Sequence, residues 1–317
     1  MRTTAGSGIG LLRFLWTHPG LRGARVSAFR RAAVWQVAKR LGARRAHVRV
    51  GPAQLYCYPG SAGGSAVLYA GLPDWKDMLF AIRCLRPGER FVDVGANIGA
   101  YSALVSGYRP GVEVTAVEPD AQARHRLVEN LELNGIKGEI VPAALGREAG
   151  RRRFTLGRDT VNRLAVTEAE AAVSVEMRTL DDVVGTRAVS LVKIDVEGAE
   201  LEVFRGGREL LSRADAPELL FELNADSSRY GATVSAIREH LAALGYEMFD
   251  YVPERDALVP FTGETPPPSG NVVATKDAPA LARRLAERAA GGVVSVPVDV
   301  HMRIERKAGS GARSTSD

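Results

Sequence analysis

From residue 91 onward, short apolar runs alternate with longer stretches whose apolar residues recur every three or four positions. The runs 91–94, 112–119 (VEVTAVEP), 138–145 (GEIVPAAL), 189–196 (VSLVKIDV) and 218–224 (ELLFELN) predict buried strands. Two more are expected at 246–251 (YEMFDY) and 271–276 (NVVATK). Helical periodicity fills 98–107, 120–135, 198–213 and 233–245, with Gly135 closing the second of these. Apolar strands spaced by helices of this length predict a parallel sheet covered on both faces. The last two strands have no helix between them, only the loop 252–270, so one of them is expected to be antiparallel.

The remainder is less regular. An insertion at about 150–180 carries two β-like runs, RRRFTLG and AVSVEMRTL, before a short capped helix at TLDDV. Upstream, 48–60 reads as a hairpin and 60–67 (GSAGGSAV) as a glycine-rich joint. Met78, Leu79, Ile82 and Leu85 then mark a helix ended by Pro87-Gly88. Beyond Lys276 come a helical segment at 278–290, one more apolar run and a polar end expected to be disordered. The organisation expected is an arm over 1–50, the main domain over 51–276, and a helical segment and tail over 277–317.

In an open α/β sheet, ligands lie beyond the carboxyl ends of the strands. That rule selects 93–99, Glu118, 143–144, 195–197 and 222–224. The stretch FVDVGANIGAYS ends a strand in Gly95, Asn97 and Gly99, the parts of a nucleotide cradle. Glu118 ends the next strand, where a carboxylate accepts hydrogen bonds from both ribose hydroxyls. The loop lacks the G-x-G-x-x-G of a dinucleotide site, and Asp93 precedes it. An acid there would repel a pyrophosphate and attract the sulfonium and ammonium of S-adenosylmethionine. The electrostatics therefore favour S-adenosylmethionine over NAD.

FVDVGANIGAYS, VEPD, ENLELN and LVKIDVEGAELEVFRGG together resemble the FkbM-type methyltransferase family, over roughly residues 68–276. The resemblance implies a Rossmann-like class I methyltransferase fold, α/β, with a seven-stranded mostly parallel sheet whose last strand is antiparallel. It implies S-adenosylmethionine as cofactor and O-methylation of sugars, glycans, glycolipids or polyketide-type products. It places Asp93, Gly95, Asn97 and Gly99 against the methionine part, Glu118 on the ribose, and Ala143 and Ala144 beside the purine.

Methyl transfer to an alcohol is an in-line displacement that also requires the acceptor proton to leave. Strand alternation puts Lys193, Asp195 and Glu197 on one side if the strand runs that far. Asp195 is the expected general base or acceptor-orienting residue. Lys193 would keep it ionised or polarise the acceptor oxygen, and Glu197 would touch substrate or cap the following helix. A variant reading places Mg²⁺ on Asp195, Glu222 and Asn224. It is not favoured, because Leu223 separates the two strand-five residues. The five histidines form no nucleophilic set; the resemblance makes the lead-in Tyr69-to-Trp75 a lid over the cofactor, with Trp75 as a core residue the alternative. Two alternatives stand beside this reading: an NAD-dependent oxidoreductase or epimerase, and a non-catalytic S-adenosylmethionine-binding module.

Charge adds a partner question. Residues 1–50 carry eleven Arg or Lys and no acid, whereas the rest carries 31 basic against 37 acidic side chains. Val26, Phe29, Ala33, Val34, Val37, Ala38 and Leu41 predict one apolar helical face, with Arg30, Arg31, Lys39 and Arg40 off it. That face is expected to pack on the domain. Peripheral contact with an anionic membrane is the alternative for this arm, and its composition also mimics an organellar transit peptide. Aromatics do not interleave with the basic residues, which argues against nucleic acid. Basic side chains in the insertion (Arg151, Arg152, Arg153, Arg158, Arg163 and Arg178) either face an anionic acceptor or are simply solvated. Only Cys57 and Cys84 are present, so a reducing cytoplasm is the expected setting.

Overall fold

The computed structural model describes residues 8–157, 161–223, 225–267, 270–290 and 299–306. Its strands in chain order begin with β1 (Ala43–Val50), β2 (Ala53–Cys57), β3 (Arg90–Val94), β4 (Glu113–Val117) and β5 (Glu139–Val141). Next come β6 (Ala144–Leu145), β7 (Gly150–Thr155), β8 (Ala172–Arg178), β9 (Leu191–Ile194) and β10 (Glu218–Glu222). β11 (Glu247–Val252), β12 (Ala257–Pro260), β13 (Asn271–Thr275) and β14 (Val300–Arg306) complete the set.

The main sheet has the order β12-β11-β13-β10-β9-β3-β4-β5. Its β10-β9-β3-β4-β5 half is parallel, and β13 runs antiparallel to both β10 and β11. The expected count of seven strands is corrected to eight. β12 lies in the stretch read as a loop, folding back on β11 as a hairpin with Asp256 at φ +49°. Alternation decides which core each residue joins. Phe91, Ala116, Leu191 and Leu220 belong to one apolar cluster; Val92, Val117, Val192 and Phe221 belong to the other.

Several local expectations are met with differences. The 138–145 run splits at Pro142 into β5 and β6, which lie in different sheets. β6 joins the insertion hairpin as the sheet β6-β8-β7. The glycine-rich joint is instead a helix, Ala62–Ala70, capped by Ser61, whose hydroxyl accepts from Gly64 N at 3.2 Å. The helix expected over 198–213 breaks into Glu200–Arg205 and Arg208–Ser212. Gly206 sits at the break, and a Cβ there would lie 2.0 Å from the Gly146 carbonyl oxygen, which requires glycine at that close approach. Thr179 and Asp182 form a full capping box on the helix Leu180–Val184.

The arm folds as two helices, Gly8–Thr17 and Arg25–Arg40, with β1 running on from the second. The second buries Ala28, Arg31, Ala32 and Trp35. The expected orientation is turned: Phe29 and Ala38 still pack against the core, but Val26, Val34, Val37 and Leu41 are exposed. Trp35 offers the largest apolar area to bury, and its indole donates to Ser65 Oγ at 3.1 Å. Arg31 donates to the carbonyls of Leu68 (3.0 Å) and Tyr69 (2.6 Å), in the last turn of Ala62–Ala70. These two anchors outweigh the smaller valine face. Beyond the main sheet, the helix Ala278–Ala290 is present as expected, and β14 pairs antiparallel with β1. The apolar run after it and the polar end lie outside the described residues.

Candidate active site

The site forms where β3, β4, β9 and β10 end. β3 gives way to a loop that only glycine permits at its first position. Gly95 has φ +74°, and a Cβ there would lie 1.9 Å from the Asp195 carbonyl oxygen. Its N–H and that of Ala96 both donate to Val117 O, tying the loop to the end of β4. Asn97 sits at φ +50°, its side chain accepting from Ile98 N at 2.8 Å. Gly99, at φ +80°, starts the helix Ala100–Tyr108 and leaves room for Leu127.

A cleft of about 730 Å³, counted with the solvent at its mouth, opens beyond these strand ends. Gly95, Asn97, Glu118, Ala143, Ala144, Asp195 and Glu197 lie on its wall. Glu118 is buried, and its two carboxylate oxygens accept from Asn97 N and Asp120 N, each at 2.8 Å. Burial raises its pKa to about 7 against the pull of those two N–H groups. Ala144, Leu145, Phe154 and Leu164 give the other wall an apolar surface. Phe154 and Leu164 come from the insertion, of which only the basic side chains stood out in the sequence. An apolar pair flanking the β4 end was not legible, because β7 joins this wall only through its pairing with β8.

Asp93 and Gly99 do not line the cleft. Asp93 is fully buried, accepting from Ser102 Oγ at 2.8 Å, with Lys193 Nζ 3.4 Å away. Asp93, expected against a bound cation, turns its charge to Lys193 across the adjacent strand. Their Cα positions are register partners.

Lys193 Nζ also lies 3.5 Å from the Asp195 carboxylate and donates to Gly95 O at 3.1 Å. Burial acts to lower its pKa, but Asp195, Asp93 and Asp74 outweigh it and the pKa is raised. Lys193 is thus a fixed cation and not a proton acceptor. With Asp195, Tyr101, Glu222 and Asn271 it lines a second, smaller depression beside the cleft. Asp74 belongs to this side, within 3.4 Å of Tyr101 Oη. The lead-in therefore supplies an acid next to the second depression and does not fold over the cleft. Trp75 packs against the arm at Gly20 and His18.

β9 stops at Ile194, so strand alternation does not carry Glu197 to its place. A turn does, with Glu197 at φ +57° and Gly198 at φ +109°. A left-handed glutamate beside a cleft is the kind of strained position that functional loops retain. Capping of this turn falls to Glu200, which the sequence reading missed. Its buried carboxylate accepts from Gly198 N (3.0 Å) and Val196 N (3.3 Å), and burial raises its pKa to about 8.

Asp195, Glu197 and Glu222 bring carboxylate oxygens within 4.8 Å of one another, a set able to hold a metal ion. Asn224, in the expected Mg²⁺ set, lies outside the described residues. Among the insertion arginines, Arg163 pairs with Glu170 at 2.7 Å, Arg153 with Glu168 at 2.7 Å, and Arg151 bonds Ser174. Arg158 lies outside the described residues. Arg152 and Arg178 donate to the carbonyls of Arg151 and Asp182, each at 3.1 Å, so local contacts account for all five that are described.

The sheet, the glycine turn and the acid at the end of the next strand are the parts of a class I methyltransferase fold. Residues 93–248 match the methyltransferase FkbM domain, so the chain carries a methyltransferase domain of the FkbM family. The oxidoreductase and non-catalytic alternatives are set aside by that match. Over 225 residues the chain is 28% identical to the 31-O-demethyl-FK506 methyltransferase FkbM of Streptomyces tacrolimicus, covering 57% of this chain and 82% of that protein. It is 26% identical over 148 residues to the 2-O-methyltransferase NoeI of Sinorhizobium fredii, covering 40% and 61% respectively. It is 30% identical over 119 residues to the hexuronic acid methyltransferase AglP of Haloferax volcanii, covering 36% and 48%. The chain thus spans less than two thirds of the last two.

Proposed function

We propose that this protein transfers a methyl group to a hydroxyl oxygen of a sugar, a glycan or glycolipid, or a polyketide-type product. The observation that carries the reading is the position of Asp195, which belongs both to the cleft with Gly95 and Glu118 and to the depression with Tyr101, Lys193 and Glu222. S-adenosylmethionine, when bound, supplies an electrophilic methyl group on a sulfonium. Glu118 and the backbone of Gly95 and Asn97 would hold its ribose and methionine parts, with Ala144, Phe154 and Leu164 against the purine. Asp195 would accept the acceptor hydroxyl proton as the new C–O bond forms. Lys193 would hold Asp195 ionised, and Glu197 would orient the acceptor.

Two relatives' names support an oxygen acceptor, a 31-O and a 2-O position, and a third names a sugar acid. A metal-assisted form of the same reaction uses Asp195, Glu197 and Glu222, whose oxygen-only character suits Mg²⁺. Cys57 and Cys84, both buried and free, fit a reducing cytoplasm.

Calorimetric titration with S-adenosylmethionine, S-adenosylhomocysteine and NAD, with and without Mg²⁺, tests the reading. Binding of the first two and not of NAD is expected, followed by methylation of hydroxyl acceptors in a glycan and polyketide screen. Binding of NAD, or of none of the three, would overturn it. An Mg²⁺ requirement would select the metal-assisted form.

A further inference from the structure

The arm turns apolar side chains to solvent on the side away from the domain. On the helix Gly8–Thr17 these are Ile9 (80% exposed), Leu12 and Trp16 (62%). On Arg25–Arg40 and its C-cap they are Val26 (84%), Val34, Val37 and Leu41 (68%). Positions 26, 30, 34, 37 and 41 are spaced by three and four, so they form one stripe with Arg30 within it and Arg40 at its edge. Arg25 lies over the Trp16 ring, 4.8 Å from its centroid, and ties the start of the second helix to the end of the first.

Charge identifies what covers this face. Residues 1–50 contain eleven basic side chains and no acid. A second copy would set the exposed Arg30 and Arg40 of this stripe against their own copies with no acid of the arm to pair them, which is repulsive. An anionic lipid surface satisfies both properties, taking valine and tryptophan side chains into its interface and arginines among its phosphates. No helix among the described residues is long and apolar enough to cross a membrane, so contact would be in the interface plane. We propose that the arm docks this face on an anionic lipid bilayer.

The docked face is coupled to the site by packing. His18 Nε2 lies 3.0 Å from Leu72 O and 3.1 Å from Pro73 O, directly before Asp74. The arm therefore anchors the segment that places Asp74 beside Tyr101 and Lys193. The inference is independent of the methyl-transfer reading, since lipid binding needs neither donor nor acceptor.

The test is co-sedimentation of the full chain with vesicles of phosphatidylcholine alone or mixed with phosphatidylglycerol. Binding to the mixed vesicles only is expected, weakening with salt, with a blue shift in Trp16 emission that Trp16→Phe removes. Val34→Ser/Val37→Ser/Leu41→Ser should abolish binding. Arg30→Gln and Arg40→Gln should each weaken it about fivefold, the effect of roughly one interfacial charge. Circular dichroism should be unchanged in all of these. Failure to bind anionic vesicles at low salt would overturn the proposal, as would equal binding to neutral ones. So would self-association that the same serine substitutions abolish.

Discussion

Lys193 and Asp93 face each other across β9 and β3 as register partners, with Nζ 3.4 Å from the carboxylate, and both are buried. A buried pair of this kind contributes little over an apolar pair, but removing one partner leaves an uncompensated charge. Lys193→Met should cost about 3–5 kcal/mol of stability in denaturant unfolding. Asp93→Asn in that background should recover a large part of the loss. Equal stability of the single and double variants would show that the pairing is energetically irrelevant.

Asp195 differs from Asp93 because its carboxylate is 43% exposed and lies on the cleft wall. Asp195→Asn keeps the size and loses the proton-accepting oxygen. Donor binding by calorimetry should change little, while single-turnover methyl transfer should fall about 10²–10⁴-fold, the range for a lost general base. Unchanged turnover would remove Asp195 from the chemistry.

Glu118 is held by two backbone N–H groups yet has a pKa raised to about 7 by burial. The ionised form is the better acceptor for ribose hydroxyls, so donor affinity should rise as pH rises through about 7. Glu118→Gln should flatten that profile and weaken donor binding roughly 10–100-fold, from about 1.5–3 kcal/mol for hydrogen bonds to a charged group. A wild-type affinity independent of pH between 6 and 8 would contradict the assignment.

Glu200 carries the opposite stability sign from a salt-bridged acid. Burial raises its folded pKa to about 8, above the ordinary 4.5. Between those values the folded state binds more protons than the unfolded one, so this group lowers stability as pH rises from about 4.5 to about 8. Glu200→Gln retains an oxygen for Val196 N and Gly198 N and should reduce that pH dependence. Thermal melts of the two proteins across this range provide the comparison, and parallel curves would refute it.

Local sequence chemistry determined much of this protein. Apolar runs and helical periodicity marked the strands on either side of the cleft, and the turn Gly95–Gly99 was legible because only glycine fits where Asp195 O closes in. Glu118, Asp195 and Ala144 were legible because open α/β sheets place their sites at strand ends. Tertiary structure alone decided the rest. Asp93 reads as a cofactor-facing acid until the β3–β9 register sets Lys193 opposite it. Glu197 reaches the cleft through a left-handed turn and not by strand alternation. Asp74, Phe154 and Leu164 come from a lead-in and an insertion that meet the site from far off in the chain, and Glu200 caps a left-handed turn that periodicity does not announce. The arm shows the limit most plainly. Its periodicity predicted one buried face, and Trp35 and Arg31, meeting Ser65 and the carbonyls of Leu68 and Tyr69, bury another. Periodicity is a property of one helix; register, burial and partner are properties of what packs against it.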